Sequence, residues 1–111
     1  MANGLLASAN LTSTSDTIIY TAPVISGASV VAKIFVCNRN GSAISMRLAI
    51  ANPGETAISS VNAIEFDVPV PAFGVIERGN IILGESERII ARTNTTNVSV
   101  VVCGVESTTT T

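Results

Sequence analysis

Hydrophobic and polar residues alternate along most of this chain in short runs. The clearest case is residues 44–50, where every second residue is hydrophobic and the residues between them are Ser45, Arg47 and Ala49. A period of two is the pattern of a β-strand that buries one face. No long run repeats its hydrophobic residues with the helical period of about 3.6, so the sequence predicts essentially no helix.

The same pattern, interrupted by turn residues, predicts about eight strands. Their expected positions are residues 4–12, 17–21, 29–36, 44–50, 62–70, 73–83, 87–93 and 97–106. Short strands at this spacing are typical of an all-β, single-domain antiparallel β-sandwich of the jelly-roll or Greek-key type. We expect the sandwich domain to occupy residues 1–106 and the polar residues 107–111 to form a flexible C-terminal tail.

Asn40 and Gly41 provide the clearest turn signal. Asn-Gly is the preferred pair for a type I′ turn, in which both central residues need positive φ. Hydrophobic runs flank the pair on both sides, so the sequence predicts a hairpin between residues 29–36 and 44–50 whose turn depends on Asn40 and Gly41. A second hairpin is expected to turn at residues 84–86.

Charged residues make up only 13% of the chain, about half of their usual share. A monomer needs more charge than this to keep its surface solvated, so the composition predicts that another protein covers part of the surface. The last predicted strand, residues 97–106, is hydrophobic on both faces, as expected of a central strand or of a strand buried in a subunit contact. We therefore expect a homo-oligomer.

Nucleic acid and membranes are not expected partners. The net charge is −2, the six basic residues are scattered, and the chain has one tyrosine, three phenylalanines and no tryptophan. A nucleic-acid-binding surface needs a basic stripe and stacking aromatic residues. The longest hydrophobic stretches, such as residues 98–105, are too short to cross a bilayer. Residues 1–7 lack the charged start and the sustained apolar run of a signal peptide.

The residues that usually carry out catalysis do not occur in a working combination. The chain has no histidine, which removes the common base for a serine or cysteine nucleophile. Glu65 and Asp67 alternate on one predicted strand with Cβ atoms about 7 Å apart, a spacing that could serve a glycosidase or hold calcium. Because the aromatic platforms of a sugar cleft are missing, an ordinary solvated strand face is the preferred interpretation. We expect no catalytic residues, no metal site and no cofactor.

Cys37 and Cys103 both fall in predicted central strands. They could pair as a disulfide across the sandwich. Because no export signal is recognised, we expect reduced thiols that act as small hydrophobic residues.

Several short motifs along the chain are familiar as an ordered set. They are Met1-Ala2-Asn3-Gly4-Leu5-Leu6-Ala7, Tyr20-Thr21-Ala22-Pro23, Val36-Cys37-Asn38-Arg39-Asn40-Gly41, Arg47-Leu48-Ala49-Ile50, Ile64-Glu65-Phe66-Asp67, Gly74-Val75-Ile76-Glu77-Arg78-Gly79 and Asn97-Val98-Ser99-Val100. In this order they resemble small all-β virion structural proteins of tailed bacteriophages, of the capsid decoration (cement) type, over nearly the whole chain. One departure is at residues 23–27, since relatives often have Pro-Ala-Gly-Lys after the Tyr-Thr segment.

The resemblance implies a compact β-sandwich that is built into a phage virion. Because the chain is short, low in charge and free of fibre-like repeats, we favour a decoration protein that binds the major capsid protein and stabilises the head lattice. The resemblance also implies assembly in the host cytoplasm, a final place on the capsid surface, and a homotrimer, as is common at capsid threefold axes. Two alternatives stay open: a tail, baseplate or fibre-attachment component, and a carbohydrate- or host-surface-binding module, against which the few aromatic residues argue.

Leu5 and Leu6 are the candidate partner-binding residues. The uncharged segment of residues 1–7 could act as an arm that adds a strand to the sheet of a neighbouring protein, with the two leucines as anchors. The alternative is that Leu5 and Leu6 only complete the sandwich of their own chain.

Overall fold

Two four-stranded sheets make up most of residues 2–108, the part of the chain that the computed structural model describes. The strands are β1 (Asn3–Leu11), β2 (Thr17–Thr21), β3 (Ala28–Asn38), β4 (Ile44–Ala51), β5 (Ala63–Val70), β6 (Val75–Gly84), β7 (Arg88–Thr93) and β8 (Val98–Thr108). Within residues 2–108 no helix occurs. The prediction of an all-β sandwich with about eight strands and essentially no helix is confirmed.

Sheet A has the strand order β1-β8-β3-β6, and sheet B has the order β2-β7-β4-β5. All neighbouring strands are antiparallel, and the first strand pairs with the eighth, the second with the seventh, the third with the sixth and the fourth with the fifth. This pairing is that of one long antiparallel ribbon rolled into two layers, which is a jelly roll. Of the two sandwich types predicted, the structure has the jelly roll.

The two predicted hairpins are wrong. β3 and β4 lie in different sheets, and so do β6 and β7. Residues 39–43 cross from sheet A to sheet B, and neither Asn40 nor Gly41 has the positive φ of a type I′ turn. The alternation of the sequence determines which face of each strand is buried, but it does not determine which strand lies beside it. A connection of five residues is long enough to span the roughly 10 Å between packed sheets.

A buried asparagine holds this crossover in place. The side chain of Asn38 is completely buried, and its Nδ2 donates to the carbonyl oxygens of Ser42 at 2.9 Å, Val70 at 3.2 Å and Pro71 at 3.0 Å. Its Oδ1 accepts from the backbone N–H of Asn40 at 2.9 Å. Asn38 thereby ties the β3–β4 crossover to the β5–β6 connection. Asn40 contributes to the crossover as predicted, but as a partner of Asn38 rather than as a turn residue.

The hydrophobic core lies between the two sheets and follows the alternation of the sequence. In β3, Val30, Ala32, Ile34 and Val36 are buried, whereas the residues that alternate with them face outward. From sheet B, Met46 and Leu48 of β4 enter the same core. Full burial of each such side chain stabilises the fold by about 1.5–3 kcal/mol.

The pairing register is interrupted in each of the four outermost strands, β1, β2, β5 and β6. In β5 and β6 the interruptions coincide with positive φ at Asp67 and Asn80. By contrast, β3 and β8 in the centre of sheet A pair over eleven consecutive positions without a shift. Bulges twist an edge and discourage another strand from pairing with it. The sheet edges are therefore poor sites for strand addition.

The C-terminal strand is longer than predicted. β8 continues to Thr108, two residues beyond the expected domain boundary at residue 106. Ser107 pairs with Ser29 of β3, and their hydroxyl oxygens are 3.0 Å apart. The rest of the predicted tail, residues 109–111, lies outside the described residues.

Candidate interaction surfaces

The outer face of sheet A is hydrophobic. Its central row consists of Ile82, Val31 and Val105, because Val31 of β3 is the direct cross-strand partner of both other residues. Their exposed fractions are 69%, 55% and 52%. These three side chains therefore form a continuous apolar strip across β6, β3 and β8, which we call the valine strip.

Further hydrophobic residues extend the face around the valine strip. Leu5 is 62% exposed beside Cys103, and Val75 is 56% exposed at the other end of sheet A. Phe35 and Val101, which are cross-strand partners, are half-buried between these ends. Of the eleven exposed large hydrophobic residues in the described part of the chain, five lie on this one face.

Two opposite charges lie on this face. Lys33 Nζ and Glu77 Oε1 are 2.8 Å apart, and the Lys33 ammonium lies 5.9 Å from the centre of the Phe35 ring. Both side chains are about half exposed, so the pair adds little stability. At the outward positions of the described strands of sheet A no other charged residue occurs. The strands of this face therefore carry no net charge, and Arg39 of the β3–β4 crossover adds one positive charge at the end of the face, where its guanidinium donates to Asn10 Oδ1.

The outer face of sheet B is covered at one end by the loop of residues 52–62. Ile58 from this loop packs against Ala49, Ala51 and Ile90, which are all buried. The backbone N–H of Ile58 donates to Asp16 Oδ2 at 3.0 Å and fixes the loop. The chain thus covers the apolar part of sheet B itself and leaves the apolar part of sheet A bare.

The other end of the same face holds an open polar cavity of about 510 Å³. It is lined by Thr14, Ser45, Arg47, Asp67, Arg92, Thr93 and Asn94. Arg47 forms a two-pronged contact with Asp67, with Nε to Oδ1 at 2.7 Å and Nη2 to Oδ2 at 3.2 Å. The Arg47 guanidinium also stacks at 3.9 Å from the centre of the Phe66 ring. This arrangement fixes a flat, charged wall beside the cavity.

The contact between Arg47 and Asp67 shifts the pKa values of both side chains. The hydrogen bond to Asp67 raises the pKa of Arg47, and the same hydrogen bond lowers the pKa of Asp67. Arg92, the cross-strand partner of Arg47, lies 3.7 Å from Asp16 Oδ1. Two arginines side by side would repel each other, and each is instead compensated by a nearby carboxylate.

Glu65 and Asp67 do not form a joint acidic site. Glu65 Oε1 lies 2.7 Å from Arg78 Nε of β6, whereas Asp67 is held by Arg47 of β4. A bulge separates the two carboxylates, because Asp67 has φ of 55°. Among residues 2–108 there is no group of three or more Cys, Asp or Glu side chains that could hold a metal ion.

The predicted partner-binding residues have different environments. Both lie in β1, an edge strand that pairs with β8, so this segment is part of the sandwich. Leu6 is partly buried against the core, as the second interpretation of the segment required, whereas Leu5 joins the apolar outer face of sheet A. Gly41 has no positive φ, and a Cβ at this position would lie 3.8 Å from the Phe73 ring, an ordinary contact, so the predicted dependence of a turn on Gly41 has no basis in the structure.

Cys37 and Cys103 are both free thiols. Cys103 pairs with Lys33, four residues along β3 from Cys37, which corresponds to about 13 Å at the strand rise. A disulfide needs Cα atoms within about 7 Å. The expectation of reduced thiols agrees with this geometry, although both side chains are half-buried on the outer face of sheet A rather than in the core.

Sequence reasoning found the apolar face only in part. The hydrophobic character of both faces of β8 was visible in residues 97–106 and pointed to a subunit contact. The contribution of Ile82 and Leu5 depends on the strand order, which the sequence pattern does not contain. The polar cavity was missed for the same reason, since Arg47, Phe66 and Arg92 come together only through the pairing of β4 with β5 and β7.

Comparisons with known proteins gave a limited result. No family model matches the chain, and no curated protein matches it. Among solved structures, the chain is similar to one described as the structure of infectious bursal disease virus Gx strain, with a TM-score of 0.43 and 11% sequence identity. The match covers 93% of this chain and 28% of that chain. In residues 2–108 no helix is long and apolar enough to cross a membrane.

Proposed function

We propose that this protein is a structural component of a bacteriophage virion, a capsid decoration protein that binds the major capsid protein and stabilises the head lattice. The order of short motifs along the chain supports a phage virion protein. The proposal includes a homo-oligomer, with a trimer as the predicted stoichiometry, on the capsid surface. It includes no enzymatic activity, no cofactor, and no direct contact with nucleic acid or membranes.

The observation that carries the proposal is the bare apolar face of sheet A. Soluble monomers rarely expose a contiguous hydrophobic patch of more than a few hundred Å², and larger patches mark contacts with other proteins. Val31, Ile82, Val105 and Leu5 are each more than half exposed on this face. A domain with such a face is suited to an assembly in which neighbouring proteins cover it.

Binding to purified phage particles tests the proposal. Labelled protein is mixed with heads that lack decoration and, separately, with isolated tails, and bound protein is measured after sedimentation. We expect saturable binding to heads and none to tails. Binding to tails alone would favour the tail, baseplate or fibre-attachment alternative, and binding to neither would overturn the proposed function.

A host-surface-binding role is the second candidate, and the polar cavity on sheet B favours it. Arg92, Ser45 and Asn94 present groups of the kind that bind sugar hydroxyls or acidic sugars, and Phe66 is 54% exposed nearby. The test is a screen of labelled protein against immobilised glycans, in which a specific ligand should be lost in Arg92→Gln and kept in Arg39→Gln. If the protein binds none of the glycans, this candidate function is excluded.

A further inference from the structure

We propose that the outer face of sheet A is a self-association surface, which other copies of this chain cover in solution. The proposed surface is the valine strip of Ile82, Val31 and Val105, together with Leu5 and the half-buried Phe35. The inference rests on the homo-oligomer of the proposed function and goes further, because it assigns the surface through which the copies associate.

The chemistry of the face is that of the sandwich interior. Val31 and Val105 occupy the outward positions of the same two strands whose inward residues, such as Val30 and Val102, form the core. β-Branched residues on one sheet pack against those of another sheet at about 10 Å separation. The packing that joins sheet A to sheet B within one molecule is therefore also available between two copies of sheet A.

The charges of the face fit a second copy. Lys33 and Glu77 balance each other within one molecule, so two such faces approach each other without a net repulsion. Apart from Arg39 at one end, the described part of the face offers no uncompensated charge that a partner of opposite sign would have to match. Each ammonium can exchange its carboxylate for the one on the facing copy, which keeps both charges paired when water is removed.

The size of the face agrees with an interface between subunits. Four strands at about 4.8 Å spacing and about nine residues at 3.3 Å rise give an area of roughly 600 Å². Each partner in a standard stable complex buries about 800 Å². An area of roughly 600 Å² per partner is at the lower end of the range for specific interfaces, and Leu5 and Val75 are part of it. Two copies that pack face to face form a twofold dimer, whereas in a trimer each face is divided between two neighbouring copies.

The first experiment measures the mass of the protein in solution by sedimentation equilibrium over a range of concentrations. We expect an oligomer for the unchanged chain. Val31→Lys and Ile82→Lys, which place a charge in the valine strip, should weaken association at least tenfold. The matched control is Val61→Lys, because Val61 is 92% exposed in the loop of residues 52–62, away from the face, and this variant should associate like the unchanged chain.

The second experiment changes only the charges, so that the fold is not at risk. Lys33→Glu leaves the face with two carboxylates and Glu77→Lys leaves it with two ammonium groups, and each should weaken association. The double change restores neutrality and should restore the oligomer. Circular dichroism confirms that all variants are folded. A monomeric unchanged chain at tens of micromolar, or an oligomer that survives both valine-strip variants and both single charge changes, would overturn the proposal.

The outcome is separate from that of the head-binding experiment. An oligomer that depends on the valine strip but does not bind phage heads or tails would support self-association and contradict the proposed function. A monomer that binds heads would contradict self-association and the homo-oligomer, would support head binding, and would assign the apolar face to the capsid protein.

Discussion

Tyr20 and Glu106 link the two sheets at one end of the sandwich. The Tyr20 hydroxyl, from β2 of sheet B, donates a hydrogen bond to Glu106 Oε2 on β8 of sheet A, and the backbone N–H of Ala2 donates to Glu106 Oε1 at 3.1 Å. Burial and the hydrogen bond to Glu106 raise the pKa of Tyr20. The hydrogen bonds from Tyr20 and Ala2 lower the pKa of Glu106. The pair is therefore strongest when the tyrosine is neutral and the glutamate is ionised.

The pH dependence of stability follows from these two directions. The lowered pKa of Glu106 gives a stabilisation that is complete above its ordinary value of 4.5 and is lost as the pH falls through the lowered pKa. The raised pKa of Tyr20 gives a second stabilisation. It is complete below the ordinary tyrosine pKa of 10.0 and is lost as the pH rises through the raised pKa. Tyr20→Phe should therefore lower the free energy of unfolding by about 1–2 kcal/mol at neutral pH.

Urea denaturation of Tyr20→Phe and the unchanged chain, across a series of pH values, measures this effect. The difference between the two proteins should be largest around neutral pH and should shrink in acid as Glu106 becomes protonated. A difference that stays constant down to the most acidic pH at which both proteins fold would contradict the role of the ionised carboxylate.

Asn38 is the residue on which the β3–β4 crossover depends. Asn38→Asp keeps the shape but replaces a donor with an acceptor, so the carbonyl oxygens of Ser42 and Pro71 would face a carboxylate. Because this group is completely buried, we expect a loss of at least about 2 kcal/mol in the free energy of unfolding. Asn3→Asp, at the exposed end of β1, is the control and should change the denaturation midpoint little. Equal midpoints for both variants would show that the crossover does not need Asn38.

At the scale of elements, the pairing of β3 with β8 is the centre of sheet A, and at Gly104 the backbone of β3 leaves no room for a side chain. A Cβ at Gly104 would lie 2.2 Å from the carbonyl oxygen of Val31 and 2.7 Å from Cα of Ala32. Backbone atoms cannot move aside like a flexible side chain, so Gly104→Ala should destabilise the domain by about 1–3 kcal/mol or more. In the control Gly79→Ala, the new Cβ would meet only Cε of Lys33 at 3.5 Å. Thermal unfolding that does not distinguish the two variants would refute this close approach.

The two roles that were predicted for the N-terminal segment fall on different leucines of β1. Leu6→Ala removes contacts with the core and should lower the free energy of unfolding by about 1–2 kcal/mol, less than for a fully buried leucine. Leu5→Ala, on the exposed face, should leave stability nearly unchanged and weaken self-association instead. Denaturation and sedimentation of both variants measure the two effects. If neither variant changed stability and both weakened binding, the segment would act as the predicted arm.

The positions of the strands could be predicted from the sequence, but which strands lie side by side in a sheet could not. The alternation in residues 44–50 reflects one buried face, and it is satisfied by any neighbour that keeps that face covered. Asn40 and Gly41 illustrate the limit, because the same pair that favours a hairpin turn also fits a crossover of five residues between sheets. Asn38, which does hold that crossover, has no local signal, since its partners Val70 and Pro71 are distant in the chain.

At the scale of the whole molecule, the two outer faces differ. The loop of residues 52–62 covers the apolar residues of sheet B through Ile58, and an arginine-lined polar cavity occupies the other end of that face. Sheet A has no such cover from the described residues, and its face is largely apolar, with a balanced pair of Lys33 and Glu77. The molecule therefore has one side suited to solvent or a polar ligand and one side suited to another protein, as expected of a subunit in a larger assembly.

The most direct test of the proposed role is the amount of this protein in purified virions of a phage that encodes it. Quantitative mass spectrometry of intact particles gives its ratio to the major capsid protein. A decoration protein should be present in an amount comparable to that of the capsid protein. Its absence from the particles, or its presence only in the small amount expected of a tail component, would contradict the account.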